Sequence, residues 1–266
     1  GVGSKTSTRD TFEPTASGAA GGPNYSPRAT DFPFYQLSRK ADKSSPVNFV
    51  TDDVFGSSGT HLARFDQVSA KGRETCTGTP DDLFHLGALN TRRNVPRNTP
   101  TVINAAFNFR NFWDGRANNV FNGTSPFGLR DVEAGVWVTG VNGQVERQTV
   151  RLENAALASQ AVGPVLSDIE MSCVHRSFPA VGRKLLKRRG LDSQAVEPTD
   201  SVLGSIRHAS GKGITPTYAS LIQQAFAPRY WSGKGNVGTQ ADGSSPYNQL
   251  EANFSFFFGL AIQLYE

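Results

Sequence analysis

The segment from Asn248 to about Tyr265 constrains the fold most. Phe254, Phe257, Phe258, Ala261 and Leu264 lie in a helical pattern that is apolar on nearly every side. A helix of that kind has no face to give to water, so the rest of the chain must enclose it. The chain has 266 residues, enough to bury a core in one large domain or two small ones. Apolar residues make up only 37%, against 27 glycines and 15 prolines, which predicts a globular molecule rich in loop. With 18 Phe and one Met, aromatic packing is expected to dominate the core.

Residues 1–30 are rich in Gly, Ser, Thr and Pro and predict an extended arm or linker. A single domain is expected over 31–266. Residues 31–100 lack sustained periodicity and read as loop with one or two short helices. Residues 99–110 predict a helix: Thr99 caps it, Pro100 occupies its first turn, and Val102, Ile103, Ala106 and Phe107 share one face. Residues 135–152 alternate around Asn142-Gly143, a hairpin signal because both turn positions require positive φ. Further helices are predicted over 153–162, 167–189, 201–209 and 217–226, followed by a Gly/Ser/Asn-rich loop at 232–246. The fold class expected is mainly α with one small β-hairpin and long loops.

The net charge is +4 and the isoelectric point about 9.2. Cations cluster at Arg183, Lys184, Lys187, Arg188 and Arg189. The cluster reads as a solvated helix end near the C-terminal dipole, or as a patch for an acidic partner or anionic lipid. No binding motif accompanies the charge, so nucleic acid is not an expected partner. No apolar run approaches the ~20 residues needed to span a bilayer. Gly1 is not a natural start, so the chain reads as a processed or partly sequenced product. Cys76 and Cys173 are either bridged or two buried thiols. His61, His85, His175 and His208 show no metal-ligand spacing, and no zinc or iron site built from side chains is expected.

The stretch most suggestive of chemistry is RNTPTVINAAFNFRNFWDGRA, residues 97–117. Physically it is a helix followed by a turn that brings Trp113, Asp114 and Arg116 close together. Asp114 and Arg116 pair or bond local backbone, and a structural Trp held by an Asp–Arg clamp accounts for the pattern as well as a functional one.

This stretch resembles the signature segment of the di-haem cytochrome c peroxidases, including the methylamine-utilisation di-haem enzyme. The family pattern is Arg-Asn-x-Pro-(Ser/Thr), then Asn-x-x-(Phe/Trp), then Trp-Asp-Gly-Arg. The resemblance implies that Trp113 relays electrons between two haems and that Arg97, Asn98, Asp114 and Arg116 belong to the cofactor's surroundings. A second match is ASQAVGPVLSDIEM, residues 158–171, in which Glu170 follows Pro164 by six positions as in the family. It implies that Pro164 lines a distal haem pocket and that Glu170 moves a proton during O–O cleavage. A carboxylate in a partly desolvated pocket has the raised pKa that such a role needs. Ser167 and Glu170 also have capping-box spacing, and the two readings are compatible. VINAAFNFRNFWDGRANNVFNGTSPFG, EMSCVHRSFPAVGRKLL and NFSFFFGLAIQLYE are similar to stretches of large multi-domain members of the family. In all, the resemblance covers roughly residues 20–266.

The sequence also departs from the family. It has no C-x-x-C-H, so no haem c is expected to be covalently bound, and the family's distal His is missing before Arg97. In the family, one attachment module precedes the Trp-Asp-Gly-Arg segment and another follows the final helix. Haem would therefore come from a partner chain or a removed flanking segment. The resemblance also implies export to the periplasm, and with it a Cys76–Cys173 bridge. Two functions stay open. One is an electron-transfer, peroxide-linked oxidoreductase module working with a haem-bearing partner and not active alone. The other is a haem-free structural or assembly subunit of a larger exported or membrane-associated complex.

Overall fold

A computed structural model of the chain describes residues 2–5, 28–31, 35–50, 54–69, 71–95, 97–237 and 246–266. The chain divides into two compact units. The first takes residues 1–64, 77–100 and 167–175, and the second takes 65–76, 101–166 and 176–266. Most of the arm expected over 1–30 lies outside the described residues.

The first unit is built from small two-stranded ribbons. β1 (Val2–Lys5) pairs antiparallel with β4 (Val54–Ser57), and β2 (Tyr35–Leu37) with β3 (Val47–Val50). β5 (Ala63–Val68) pairs with β6 (Glu74–Gly78). β7 (His85–Leu86) and β8 (Leu89–Asn90) close a tight hairpin. Three separate segments are then knitted by backbone hydrogen bonds. Gly59 N donates to Arg93 O at 2.8 Å, Arg93 N to Thr60 O at 3.0 Å, and Thr60 N to Ile169 O at 3.0 Å. A Cβ at Gly59 would lie 2.0 Å from the Ile169 carbonyl, so only glycine permits this approach. Arg93 adds side-chain ion pairs to Asp81 (2.9 Å) and Asp168 (3.0 Å), which fasten the 167–175 segment to the unit.

The second unit holds the core. β9 (Val136–Thr139) and β10 (Val145–Gln148) form the hairpin expected around Asn142-Gly143, with Gly143 at φ +77°. Helices α1 (Ala156–Ala161), α2 (Phe178–Leu185), α3 (Tyr218–Ala225), α4 (Gln249–Ala252) and α5 (Phe254–Tyr265) follow. Phe254, Phe256 and Phe257 of α5 pack with Phe121, Val136, Ala158, Phe178, Val181 and Ile222. Rings meet edge-on, with Phe226 and Phe257 centroids 4.8 Å apart. Gly259 lets α5 approach α1, since a Cβ there would meet Phe121 Cζ at 2.9 Å and Ala158 O at 3.1 Å.

Buried amides fix α4 and α5 against the hairpin. Gln249 donates to the carbonyls of Trp137 and Arg229 (both 2.9 Å) and accepts from Gly233 N (2.6 Å) and Thr139 Oγ1 (3.0 Å). Asn253 donates to Trp137 O and Tyr230 O (both 2.7 Å) and accepts from Trp137 N (2.8 Å). That engagement sits at the break between α4 and α5, where Asn253 has φ −90° and ψ 10°. Glu251 serves twice: it closes the capping box with Asn248 and pairs with the buried Arg183 at 3.0 Å.

The expectation of a mainly α fold is wrong. Among the described residues the helices are short, and ten strands form five two-stranded sheets. The helix predicted over 99–110 is a single 3-10 turn, Ala105–Phe107. Asn104 at φ +59° ends any helical register, and the Asn111 and Gln263 side chains take the Ala105 and Ala106 carbonyls. Residues 31–100 form ribbons instead of loop with short helices. The helix predicted from 167 begins only at Phe178, after His175 at φ +68° and a Ser177 cap. Residues 201–209 hold one 3-10 turn, Gly204–Ile206.

Replacing Gln249 with Leu keeps the bulk but orphans the Arg229 carbonyl, the Gly233 N–H and the Thr139 hydroxyl, and leaves the Trp137 carbonyl with Asn253 as its side-chain donor. The expected cost is ~3 kcal/mol or more, read as a lower urea midpoint. A loss below ~1 kcal/mol would show that the amide is not what joins these segments.

Candidate functional site

The Trp-Asp-Gly-Arg residues form a closed loop in the second unit. Asn111 and Ala117 pair through both backbone bonds, Asn111 N to Ala117 O at 3.2 Å and Ala117 N to Asn111 O at 3.3 Å. Asn111 is buried and anchored by Asn108 Nδ2 (2.9 Å) and by its own bond to Ala105 O (3.2 Å). Between the paired residues, Gly115 N donates to Phe112 O at 3.0 Å, closing a turn over residues 112–115. Gly115 takes φ +65° at no cost, but Phe112 sits at φ +63°, a conformation that costs a side-chain-bearing residue about 1–3 kcal/mol.

Four contacts hold that strained turn. Arg116 Nη1 binds both Asp114 oxygens, at 3.0 and 2.9 Å, and its guanidinium lies 3.9 Å from the centre of the Phe112 ring. Arg110 Nη1 donates to Gly115 O at 3.2 Å. The Phe112 ring also covers Gly163, where an added Cβ would meet Phe112 Cζ at 3.3 Å. The Gly163-Pro164 step and the Trp113 loop, far apart in sequence, therefore touch through Phe112. Sequence reasoning did not single out Phe112 or Gly163 in this role, because their meeting depends on tertiary structure. The Asp114–Arg116 pairing was legible from the two-residue spacing. The pair, and its own backbone bond at Arg116 N, hold Asp114 below the ordinary carboxylate range, against the opposing effect of desolvation.

Trp113, at the second position of this turn, is 82% exposed. In the chain leading to it, Ile103, Phe107 and Phe109 are exposed as well. The 101–113 segment therefore presents apolar side chains to solvent, which is uncommon for a contiguous run of chain. Pro164 is half-buried at the start of a 3-10 turn, Pro164–Leu166. The following Val165 carbonyl accepts from Arg176 Nη2 at 2.6 Å. Arg176 in turn binds Glu74 (3.0 Å), which is also paired with Lys184.

Arg97, Asn98 and Glu170 belong to the first unit. Arg97 and Asn98 are exposed and make no hydrogen bond or ion pair among the described residues. Glu170 is half-buried on the segment that Arg93 fastens. Its N–H donates to Ser167 O (3.2 Å) and Ser167 Oγ (3.3 Å), while its carboxylate makes no hydrogen bond among the described residues. The capping-box spacing thus forms one of its two bonds, on a turn and not at a helix start. A pocket of about 530 Å³ lined by Phe107, Phe109, Asn119, Gln263 and Leu264, among others, includes none of these seven residues.

The model of the di-haem cytochrome c peroxidase family matches residues 65–241. The chain belongs to this family. No curated protein and no solved structure matches it significantly. The residues of this family member do not fit a covalently held haem c. Both cysteines are disulfide-bonded, so neither sulfur is available for a thioether, and no Cys-x-x-Cys-His is present. Among the described residues no group of His, Cys, Asp or Glu converges as a metal site. The basic run at 183–189 is largely committed: Arg183 pairs with Glu251, Lys184 with Glu74, and Arg188 with Asp192 at 3.7 Å.

Burial raises the Glu74 pKa, but the Lys184 hydrogen bond and the Arg176 charge outweigh it, leaving Glu74 below its ordinary value. The stabilisation this gives is full above the unfolded carboxylate pKa, ~4.3, and is lost as pH falls through the folded value. The difference in unfolding free energy between wild type and Glu74→Gln is expected to be constant from about pH 6 to 7 and to shrink below ~4.3. A pH-independent difference would sink this assignment.

Proposed function

We propose that this chain is the electron-relay module of a di-haem peroxidase-type oxidoreductase whose redox centres lie outside the described residues. The observation that carries this reading is Trp113: an almost fully exposed indole on a loop closed at its base and clamped by Asp114 and Arg116. A fixed, outward indole suits passage of one electron at a time between centres brought against this face. Family membership supplies the reaction class. In this reading Glu170, with an uncommitted carboxylate on a fastened turn, handles the proton. The family motif gives Pro164, Arg97 and Asn98 a place near the cofactor, while Asp114 and Arg116 act by holding the loop. The partner is a haem-bearing protein chain or segment. Disulfide-bonded cysteines support an exported, periplasmic location. No helix of the described residues is long and apolar enough to cross a membrane.

The exposed apolar segment also supports a second reading, a haem-free assembly subunit that uses it as a docking face. A pyridine haemochrome spectrum of the native complex separates the two. The relay reading expects haem in the complex and a tenfold or greater loss of peroxide turnover in Trp113→Phe. A haem-free complex would leave only the assembly role.

A further inference from the structure

We propose that Phe112 is the positioning residue for Trp113, and that the Gly163-Pro164 step and Arg116 act on the indole only through the Phe112 ring. The inference rests on the relay reading for its purpose but not for its geometry. Trp113 has no hydrogen bond of its own among the described residues, and its side chain stands in solvent, so nothing it touches sets its direction. The direction is set by the backbone one residue earlier. Phe112 at φ +63° turns the chain so that residue 113 leaves the loop outward. Glycine reaches that conformation freely, and phenylalanine does so only under external constraint.

Two contacts constrain the ring. Arg116, itself clamped by both Asp114 oxygens, lies 3.9 Å from the ring centre. Gly163 approaches so closely that a methyl group would meet Phe112 Cζ at 3.3 Å and Cε2 at 3.5 Å. A ring in contact with both a guanidinium and a glycine backbone cannot turn away without giving up one of them. The strained φ is thereby maintained, and Trp113 with it. Asp114–Arg116 and Gly163-Pro164 thus converge on one residue with no reactive group.

The test is time-resolved fluorescence anisotropy of Trp113 in the full chain, isolated by subtracting the decay of Trp113→Phe, with Tm measured in parallel. Phe112→Gly relieves the backbone strain and removes the ring. It is expected to at least double the amplitude of the nanosecond local-motion component, without lowering Tm by more than the Trp113→Phe change does. Phe112→Tyr, which keeps the ring, is expected to restore the wild-type decay. An unchanged decay in Phe112→Gly overturns the proposal, as does failure of Phe112→Tyr to restore it. If Phe112→Gly does not fold, Gly163→Ala is read in the same way: increased Trp113 motion supports the proposal and unchanged motion overturns it. None of these measurements requires haem, so a Trp113→Phe variant with normal peroxide turnover would reject the relay reading while leaving this one standing.

Discussion

In the second unit the β9–β10 hairpin and the C-terminal helices are joined by amides as much as by rings. Gln249 and Asn253 between them occupy the Trp137 carbonyl and N–H and the carbonyls of Arg229 and Tyr230. Gln249 and Asn253 are themselves buried, and a missing partner there would cost far more than the bond contributes when made. The register of α5 against the hairpin is therefore specified by hydrogen bonds and not only by apolar fit. Apolar fit follows from that register. It brings Gly259 over Phe121 and Ala158, and sets Gln263 Oε1 to accept from Ala158 N at 3.1 Å. That bond satisfies one of the N-terminal donors of α1, a helix without a side-chain cap of its own. The same Gln263 reaches Ala106 O, in the segment that leads into the Trp113 loop.

This chain of contacts explains which elements were legible in the sequence. The final helix was, because its composition leaves it nowhere to go but inside. So was the Asn142-Gly143 hairpin, because the turn chemistry is local. The α3 helix starts where its Thr217 cap stands, with Ser220 N donating to Thr217 Oγ1 at 3.2 Å. The helix expected over 99–110 failed for a reason no local pattern holds: its carbonyls are taken by Asn111 and by Gln263, the latter more than 150 positions away. The ribbons of residues 31–100 failed similarly. Their strands run two to six residues each, too short for alternation to register, and are fixed by contacts such as Gly59 against Ile169.

The candidate site divides along the same line. Motif spacing singled out Trp113, Asp114, Arg116, Pro164 and Glu170, and the Asp114–Arg116 pairing follows from that spacing. What the motif leaves silent is how a tryptophan is kept pointing outward, and that lies in Phe112 and Gly163, residues with no chemistry to advertise. The family assignment and the site also pull in different directions. Trp113 and the Asp114–Arg116 clamp of the motif are present, while both cysteine sulfurs are tied in disulfide linkage. In the relay reading proposed above, the exposed indole of Trp113 works only against another surface.

Hydroxyl-radical footprinting with mass spectrometry tests that claim most directly, because it reads the three tryptophans Trp113, Trp137 and Trp231 separately. Trp137 and Trp231 are half-buried in the second unit, so they serve as internal references. Trp113 should be the fastest to oxidise in the isolated chain and should be protected severalfold in the native complex. Equal labelling of Trp113 in the isolated chain and in the complex would contradict the account, since the exposed indole would then face nothing but water.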